Sequence, residues 1–215
     1  MNILALEFSA PERSVAVAQA AAESVKIVSS IRGSDFHGVT GMMLIDRALR
    51  EASLRPPEIA LIAIGLGPGS YTGIRSAIAI AQGFQLGLGV ETTGMASDIV
   101  LAETARARGV QGEMTIVIDA QRGDVYRARY SCAAESCREI APLHIIPSKN
   151  IEAQGMIVGP DASKFMAGAS DLSPSAETLA KLAMNIGKRV PAEQLEPMYL
   201  RQTTFVKATP PRHVP

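Results

Sequence analysis

IGLGPGSYTGIR, residues 64–75, is the stretch of sequence that decides the fold. It follows an apolar run over residues 60–64 that predicts a buried strand, and it carries four glycines before a long helical segment begins. A strand that enters a glycine-rich turn and opens onto a helix N-terminus directs backbone N–H groups and the positive end of the helix dipole at whatever lies in front. Proteins of the α/β class place ligands or partners at such turns, so this stretch predicts that class.

The amino-acid composition limits the functions and locations that this chain can have. Lysine plus arginine and aspartate plus glutamate each total 21 in 215 residues, so the net charge is zero and autonomous nucleic-acid binding is not predicted. A role beside an RNA-binding partner stays open. No run approaches the roughly 20 apolar residues of a membrane span, and Met1–Glu7 lacks the basic start of a signal peptide. We therefore predict a cytoplasmic protein without membrane contact, and reduced thiols at its only cysteines, Cys132 and Cys137.

The order of predicted elements indicates two α/β lobes with a boundary near residues 95–112. Strands rich in apolar or β-branched residues recur in both halves of the chain. The predicted strands are 1–7, 14–18, 25–31, 60–64, 114–118, 125–130, 143–146 and 157–161. The predicted helices are 42–52, 72–88, 97–108 and 175–187. A proline-rich tail over 206–215 is expected to fray.

The helix after the glycine turn is apolar on nearly every face. Thr72 is its predicted N-cap. The clearly polar side chains between residues 74 and 88 are Arg75, Ser76, Gln82 and Gln85. A helix that is hydrophobic all round must be covered on all sides, either by its own domain or by another chain. Both alternatives stay open at this point.

The glycines do not complete a nucleotide-binding motif. Ser70 stands three residues after Gly67, so the dinucleotide fingerprint G-x-G-x-x-G fails. Gly73 is followed by Ile74 and not by the lysine of a P-loop. We therefore expect these glycines to let the backbone pass close to a neighbouring lobe, and we do not expect an autonomous nucleotide site.

The sequence also lacks the residue patterns of metal sites and nucleophilic catalytic sites. The three histidines, His37, His144 and His213, are far apart and form no H-x-x-x-H pair for a metal. No G-x-S-x-G nucleophile elbow is present. Asp119 and Asp124 bracket a short loop that is typical of a hairpin turn, and their spacing alone does not make them an acid–base couple. The residues therefore predict no catalytic site and no metal site.

Four blocks of the sequence resemble the TsaB (YeaZ) family, the non-catalytic paralogues in bacterial tRNA threonylcarbamoyladenosine synthesis. The start, ILALEFS over 3–9, is similar to the family's I-L-A-I-D-T-S. GPGSYTGIR over 67–75 is similar to G-P-G-S-[FY]-T-G-[LIV]-R and is the most specific block. IDAQRGDVY over 118–126 and PMYLR over 197–201 are similar to I-D-A-R-x-G-E-V-Y and P-x-Y-L-R.

This resemblance implies a fold and a set of partners. The fold would be α/β, a two-lobed actin-like, Hsp70-like (ASKHA) architecture in which each lobe is a mixed sheet with packed helices, over residues 1–100 and 101–205. The partner would be TsaD, the paralogue that attaches threonylcarbamoyl to the adenosine beside the anticodon of tRNAs reading codons that begin with A. TsaE, an ATPase, would join the assembly, tRNA would bind only through the complex, and the isolated chain could pair with itself. No cofactor would be bound autonomously, with ATP or ADP expected only at the TsaD interface.

The resemblance also implies two sets of site residues. The expected partner surface comprises Thr72, Ile74, Arg75, Ile78, Ala81, Gln82 and Gln85. The residual nucleotide-facing positions comprise Glu7, Ser9, Gly67, Gly69 and Asp119. Two departures favour a scaffold over an enzyme: Glu7 and Phe8 replace the family's Asp and Thr, and the catalytic paralogue's paired histidines are missing. The alternative is an autonomous ASKHA-type ATPase or phosphotransferase; a peptidase role is disfavoured because no metal pair or nucleophile triad is found.

Overall fold

A computed structural model describes residues 1–21, 24–34, 40–152, 154–185 and 188–201. The strands are β1 (Asn2–Glu7), β2 (Glu12–Ala21), β3 (Ser24–Ser34), β4 (Leu61–Gly65), β5 (Glu91–Met95), β6 (Gly112–Asp119), β7 (Asp124–Cys132), β8 (Cys137–Pro147), β9 (Met156–Gly159) and β10 (Ser170–Asp171). The helices are α1 (Gly41–Glu51), α2 (Tyr71–Leu88), α3 (Ser97–Ala107) and α4 (Ala176–Asn185). The predictions for His37, His213 and the tail 206–215 lie outside the described residues.

The strands form two five-stranded sheets with the same internal order. The first sheet runs β3-β2-β1-β4-β5 and the second runs β8-β7-β6-β9-β10. In each, three strands form an antiparallel meander and two more add in parallel to its first strand. The parallel core strands β1 and β4 are buried on both faces, which explains why both read as continuous apolar runs in the sequence. The predicted two mixed-sheet lobes are confirmed.

The first sheet is covered by helices on both faces. On one face, α1 and α2 pack over a cluster that includes Leu6, Phe8, Ile45, Ile64 and Ile78. On the other face, α4 packs over Ile3, Ala5, Leu61 and their neighbours. The second sheet packs one face against α3.

The last quarter of the chain returns to the first lobe. Helix α4 lies on β1 and β2, and Leu195 joins the cluster under α1 and α2. A bridge between Thr93 and Arg189 adds a backbone contact to β5. The predicted assignment of 101–205 to a second lobe is therefore wrong beyond β10, because the face of the first sheet opposite α1 and α2 needs cover that α3 alone does not give. The second sheet is an insertion between α3 and α4.

Two local predictions also need correction. Ser70, and not Thr72, caps α2, because its hydroxyl accepts the N–H of Gly73 while Thr72 is already inside the helix and exposed. Cys132 and Cys137 face each other across β7 and β8 with Cα atoms 4.0 Å apart, and the structure joins them in a disulfide, whereas the sequence predicted reduced thiols. Within the described residues, no helix has both the length and the apolar character needed to cross a membrane.

Candidate functional site: the cleft between the lobes and the exposed face of α2

A cleft between the two lobes forms a cavity of about 600 Å³, large enough for a small ligand. The first lobe contributes the turn after β1 and the start of α2, and the second contributes the β6–β7 turn and the residues after β9. The lining residues are Ser9, Pro11, Gly69, Ser70, Tyr71, Ile74, Ile118, Asp119, Ala120, Gln121, Tyr126, Pro160, Asp161, Pro197, Met198 and Tyr199. Of the predicted nucleotide-facing residues, Ser9, Gly69 and Asp119 line this cleft, whereas Glu7 and Gly67 do not.

The glycine-rich loop is closed against its own lobe. The N–H of Gly67 donates to Ser97 Oγ at 3.1 Å, and the N–H of Ser70 donates to the carbonyl oxygen of Ser9 at 2.6 Å. A Cβ at Gly69 would collide with that same Ser9 carbonyl, and one at Gly73 would collide with the carbonyl of Phe8. A phosphate-binding loop offers free N–H groups to its ligand. Here these donors are used inside the lobe, so the glycines serve close backbone packing.

Glu7 is buried within this packing. Its Oε1 accepts the N–H of Ser9 at 3.0 Å, and the hydroxyl of Ser97 lies 3.1 Å from its Oε2. The carboxyl fills the space beside Gly65, where a Cβ would collide with it. Desolvation by burial raises the pKa of the Glu7 carboxyl above its ordinary value. The prediction that Glu7 faces a nucleotide is wrong, because the side chain points into the lobe and joins β1, the glycine loop and α3.

The charges in the cleft do not suit a polyphosphate. Asp119 and Asp161 both line it. Asp119 accepts the N–H of Gln121 at 2.7 Å, and Asp161 pairs with Lys164 at 2.9 Å. Carboxylates repel phosphate oxygens, and the described residues that line the cleft include no arginine or lysine. Across the described residues, no group of three or more potential ligands gathers to hold a metal ion.

The segment 197–201, which the sequence showed only as one block of the family resemblance, crosses the cleft as a strap. The N–H of Met198 donates to the carbonyl of Leu66 at 2.9 Å. The Tyr199 hydroxyl accepts from Arg75 Nε at 2.9 Å, and that guanidinium stacks 3.9 Å from the ring of Tyr71.

At the far end of the strap, Arg201 holds the β6–β7 turn. Its Nη2 donates to the carbonyl of Ala120 at 3.0 Å and pairs with Asp124 Oδ2 at 2.9 Å. Gln121 and Arg122 in that turn have positive φ values of 62° and 60°. The P-x-Y-L-R and I-D-A-x-x-G-[DE]-V-Y patterns of the sequence therefore meet in space, and their contact ties the two lobes together.

The predicted partner surface on α2 divides into two groups. Thr72, Arg75 and Gln82 are exposed, as a partner surface requires. Ile74, Ile78 and Ala81 are buried in the core of the first lobe, so their inclusion in an exposed surface is wrong. Gln85 is half-buried and donates to the carbonyl of Val90 while accepting the N–H of Ala192. The lobe covers one side of the helix only.

The opposite side of α2 carries exposed residues that sequence reasoning left out. Leu86 is 92% exposed, and Gly83 and Ala79 lie one and two turns before it on the same side. The start of α1 reaches this helix, because a Cβ at Gly41 would stand 3.4 Å from Ile80 Cδ1. Two exposed methionines follow at that end of α1, Met42 and Met43, which are 50% and 56% exposed. The i, i+4 spacing of small residues on α2 was the available signal for this surface.

Comparison with known proteins agrees with this geometry. A family model described as TsaD: tRNA N6-adenosine threonylcarbamoyltransferase matches residues 26–187. The tRNA threonylcarbamoyladenosine biosynthesis protein TsaB of Escherichia coli K12 is 30% identical over 174 residues, which cover 71% of this chain and 75% of the relative. TsaB of Bacillus subtilis 168 is 25% identical over 142 residues, which cover 66% of this chain and 60% of the relative. The solved structure of YeaZ from Pseudomonas aeruginosa superposes with a TM-score of 0.78 at 25% identity, covering 93% of this chain and 99% of that one.

Two mixed sheets of identical order on either side of a cleft define a two-lobed actin-like fold, and the YeaZ structure shares it. The class predicted from the sequence is therefore confirmed. The chain belongs to the TsaB/YeaZ family, within the wider group of proteins that the TsaD model describes.

Proposed function

We propose that this protein acts in tRNA threonylcarbamoyladenosine biosynthesis as a non-catalytic subunit that binds and activates a TsaD-type transferase. The relatives named TsaB support the pathway. The observation that carries the subunit role is the exposed face of α2, where Leu86 stands out at 92% exposure beside Ala79 and Gly83. Larger exposed apolar patches are typical of surfaces that another protein covers, and Met42 and Met43 of the neighbouring helix α1 add exposed apolar surface to that of Leu86.

The shape of this face suits a helix from a partner. A Cβ at Gly83 or Gly87 would meet no atom within 4 Å, so both positions are open on the outside of the helix. Small residues spaced four apart let a second helix approach closely, and Met42 and Met43 supply adaptable apolar contacts at its side. An ordinary stable interface buries about 800 Å² on each partner. The exposed sides of α1 and α2 together offer the apolar centre of such a surface.

The hydrogen bonding of the glycine-rich loop supports a non-catalytic role for this chain. The N–H groups of Gly67 and Ser70 are bonded within the lobe, Glu7 is buried away from the cleft, and the charged groups among the described residues that line the cleft are carboxylates. A phosphotransferase stabilises the phosphoryl group that it transfers with free N–H groups and with cationic side chains or a metal ion. We therefore assign the reaction to the partner and the activation to this chain.

Co-purification with the cognate TsaD tests the assignment. Leu86→Glu places a charge at the centre of the proposed interface and should lower the amount of TsaD retained by at least about tenfold, since a desolvated unpaired charge costs several kcal/mol. Leu86 touches little of its own lobe, so the isolated variant should unfold at the same temperature as the natural chain. Met156→Glu, at a 48% exposed apolar position on the second lobe, is the matched control and should leave TsaD binding unchanged.

Retention of TsaD by Leu86→Glu at the natural level would move the interface elsewhere. The companion proposals, that TsaE joins the complex, that tRNA is bound through it and that ATP or ADP lies at the TsaD interface, depend on the same pairing. Pairing of the isolated chain with itself through this face would be measured by light scattering, and Leu86→Glu should abolish it.

A second candidate, the autonomous ATPase or phosphotransferase, is favoured only by the volume of the cleft. Calorimetry of the isolated chain with ATP and Mg²⁺ separates the two functions. We expect no heat of binding at millimolar nucleotide. Low-micromolar binding, with hydrolysis abolished by Asp119→Asn, would establish the ATPase instead.

A further inference from the structure

Two arginines on one face of the second sheet lack the partners that their burial calls for. Arg127 and Arg129 occupy alternate positions of β7 and therefore point to the same side of the sheet. Both are only partly exposed, and the Nε atom of each is buried without a hydrogen-bond partner among the residues that the structure describes. A buried donor that is left unpaired costs free energy, and a charged one costs more.

One carboxylate reaches this pair, and it serves Arg129. Glu113 Oε2 lies 2.6 Å from Arg129 Nη2, on the rim of the sheet where Glu113 is more than half exposed. For Arg127, the described part of the chain supplies no ion pair and no hydrogen bond. The two guanidinium groups therefore keep an uncompensated positive charge between them.

The residues directly opposite Arg127 on the two neighbouring strands carry no negative charge. Its cross-strand neighbours are Val117 on β6 and His144 on β8. The exposed imidazole of His144 has its Nδ1 2.8 Å from the carbonyl of Pro142 and carries no negative charge in either protonation state. Arg138, opposite Ser131 further along β8, adds a third arginine to the same side. The face is basic although the whole chain is neutral.

The backbone is irregular at the same place. The pairing of β7 with β8 shifts register between Arg127 and Arg129 and again between Arg129 and Tyr130. Such bulges re-aim side chains and concentrate beside binding sites. The extra residues lie on β8, opposite residues 127–130 of β7, so the irregularity adjoins the two unpaired donors.

We propose that Arg127 and Arg129 form a binding site for a phosphate group, and that this phosphate belongs to the backbone of RNA. Both guanidinium groups belong to partly exposed side chains, and Arg127 makes no hydrogen bond or ion pair within the described residues, so the pair matches phosphate oxygens, which accept several hydrogen bonds at once. The choice of RNA over free phosphate rests on the proposed function in tRNA modification. A single phosphate contact adds to an RNA affinity that other contacts supply. This agrees with a chain of zero net charge that binds RNA only together with a partner.

The first arm of the test uses the isolated full chain. Side-chain Nε–H resonances of Arg127 and Arg129 are followed by NMR while inorganic phosphate is added at millimolar concentration. Both resonances should shift together and saturate, and Arg55, an exposed arginine of the first lobe, should not shift. Absence of a shift at either residue would overturn the site.

The second arm uses the chain co-purified with TsaD and a tRNA transcript. Arg127→Gln and Arg129→Gln should each weaken tRNA binding about tenfold and lower the slope of log K against log salt by about one. Arg55→Gln removes the same charge at a distance and should change neither quantity. All three variants should retain as much TsaD as the natural chain does. If the proposed function is wrong, TsaD is not retained, whereas if only the RNA site is wrong, TsaD is retained and the tRNA affinity is unchanged.

The remaining outcomes are decisive as well. Unchanged tRNA affinity in Arg127→Gln, with phosphate still shifting the resonances, would overturn the assignment to RNA. If Arg127 serves a ligand site, its buried and uncompensated charge does not stabilise the fold. Arg127→Gln should then unfold at the same temperature as the natural chain or at a higher one. A lower unfolding temperature would show that Arg127 is a structural residue and would sink the proposal.

Discussion

Replacing Gly83 by alanine should stabilise the isolated chain. Gly83 lies in the middle of α2 on its exposed side, and an added Cβ would meet no atom within 4 Å. Alanine is better than glycine in a helix interior by about 1 kcal/mol, because glycine loses more backbone entropy on folding. In a chain of this size, that gain corresponds to an increase of about 2–4 °C in the unfolding temperature.

Gly73, ten residues earlier in the same helix, is the matched control. A Cβ there would collide with the carbonyl oxygen of Phe8, so Gly73→Ala must push the helix start away from β1. Overpacking of this kind costs about 1–3 kcal/mol. Thermal unfolding followed by circular dichroism, with urea unfolding at 25 °C, measures both variants. A lower unfolding temperature for Gly83→Ala, or a tolerated Gly73→Ala, would refute the description of α2 as bare on one side and closed against β1 on the other.

The same position separates stability from function. Gly83→Leu fills the space that we assign to a helix of TsaD, while its side chain meets nothing in its own lobe. The isolated variant should therefore fold at least as stably as the natural chain and retain much less TsaD. Natural TsaD binding by Gly83→Leu would show that no partner packs closely on this face.

Two further predictions concern the interior and the strap. Burial raises the pKa of Glu7 above 4.5, so its contribution to stability is complete below that pH and is lost as the pH rises through the folded pKa. Between the two values the free energy of unfolding should fall by about 1.4 kcal/mol per pH unit, and Glu7→Gln should remove this decrease in urea titrations across pH; equal slopes for the two chains would contradict it. Arg201→Ala removes bonds to Ala120 and Asp124 from a side chain that is 36% exposed, and should cost about 1 kcal/mol in the same assay. Arg50→Ala, whose ion pair is far more exposed, should cost less than about 0.5 kcal/mol, and equal costs would show that the strap does not tie the lobes.

Much of the architecture could be predicted from local patterns. The continuous apolar runs of β1 and β4 reflect strands buried on both faces, and the block 67–75 marked the turn between β4 and α2. The family resemblance extended this to the two-lobed fold. These features depend on residues that are neighbours in sequence, so the sequence displays them directly.

The errors concern contacts between distant segments. Helix α4 packs on the first sheet because one face of that sheet is otherwise uncovered. The periodicity of apolar residues in α4 predicts a helix, but it does not indicate which sheet the helix covers. The apolar composition of α2 could not show which side is covered, so Ile78 was assigned to a partner and Leu86 was missed. Glu7 occupies a position that faces ligand in related folds, but its direction is decided by Ser97, ninety residues away. The unpaired state of Arg127 becomes visible only once β6 and β8 flank β7.

The late position of α4 has a consequence for synthesis on the ribosome. The sheet β1–β5 is complete once Met95 has emerged, but the face over Ile3 and Leu61 stays exposed to water until residues 176–183 follow. The nascent chain must therefore hold an apolar surface while the whole inserted sheet is translated, a period of several seconds at about 5–20 residues per second. A chain truncated after β10 should then aggregate although every strand is present, and supplying the missing helix as a separate peptide should rescue its solubility.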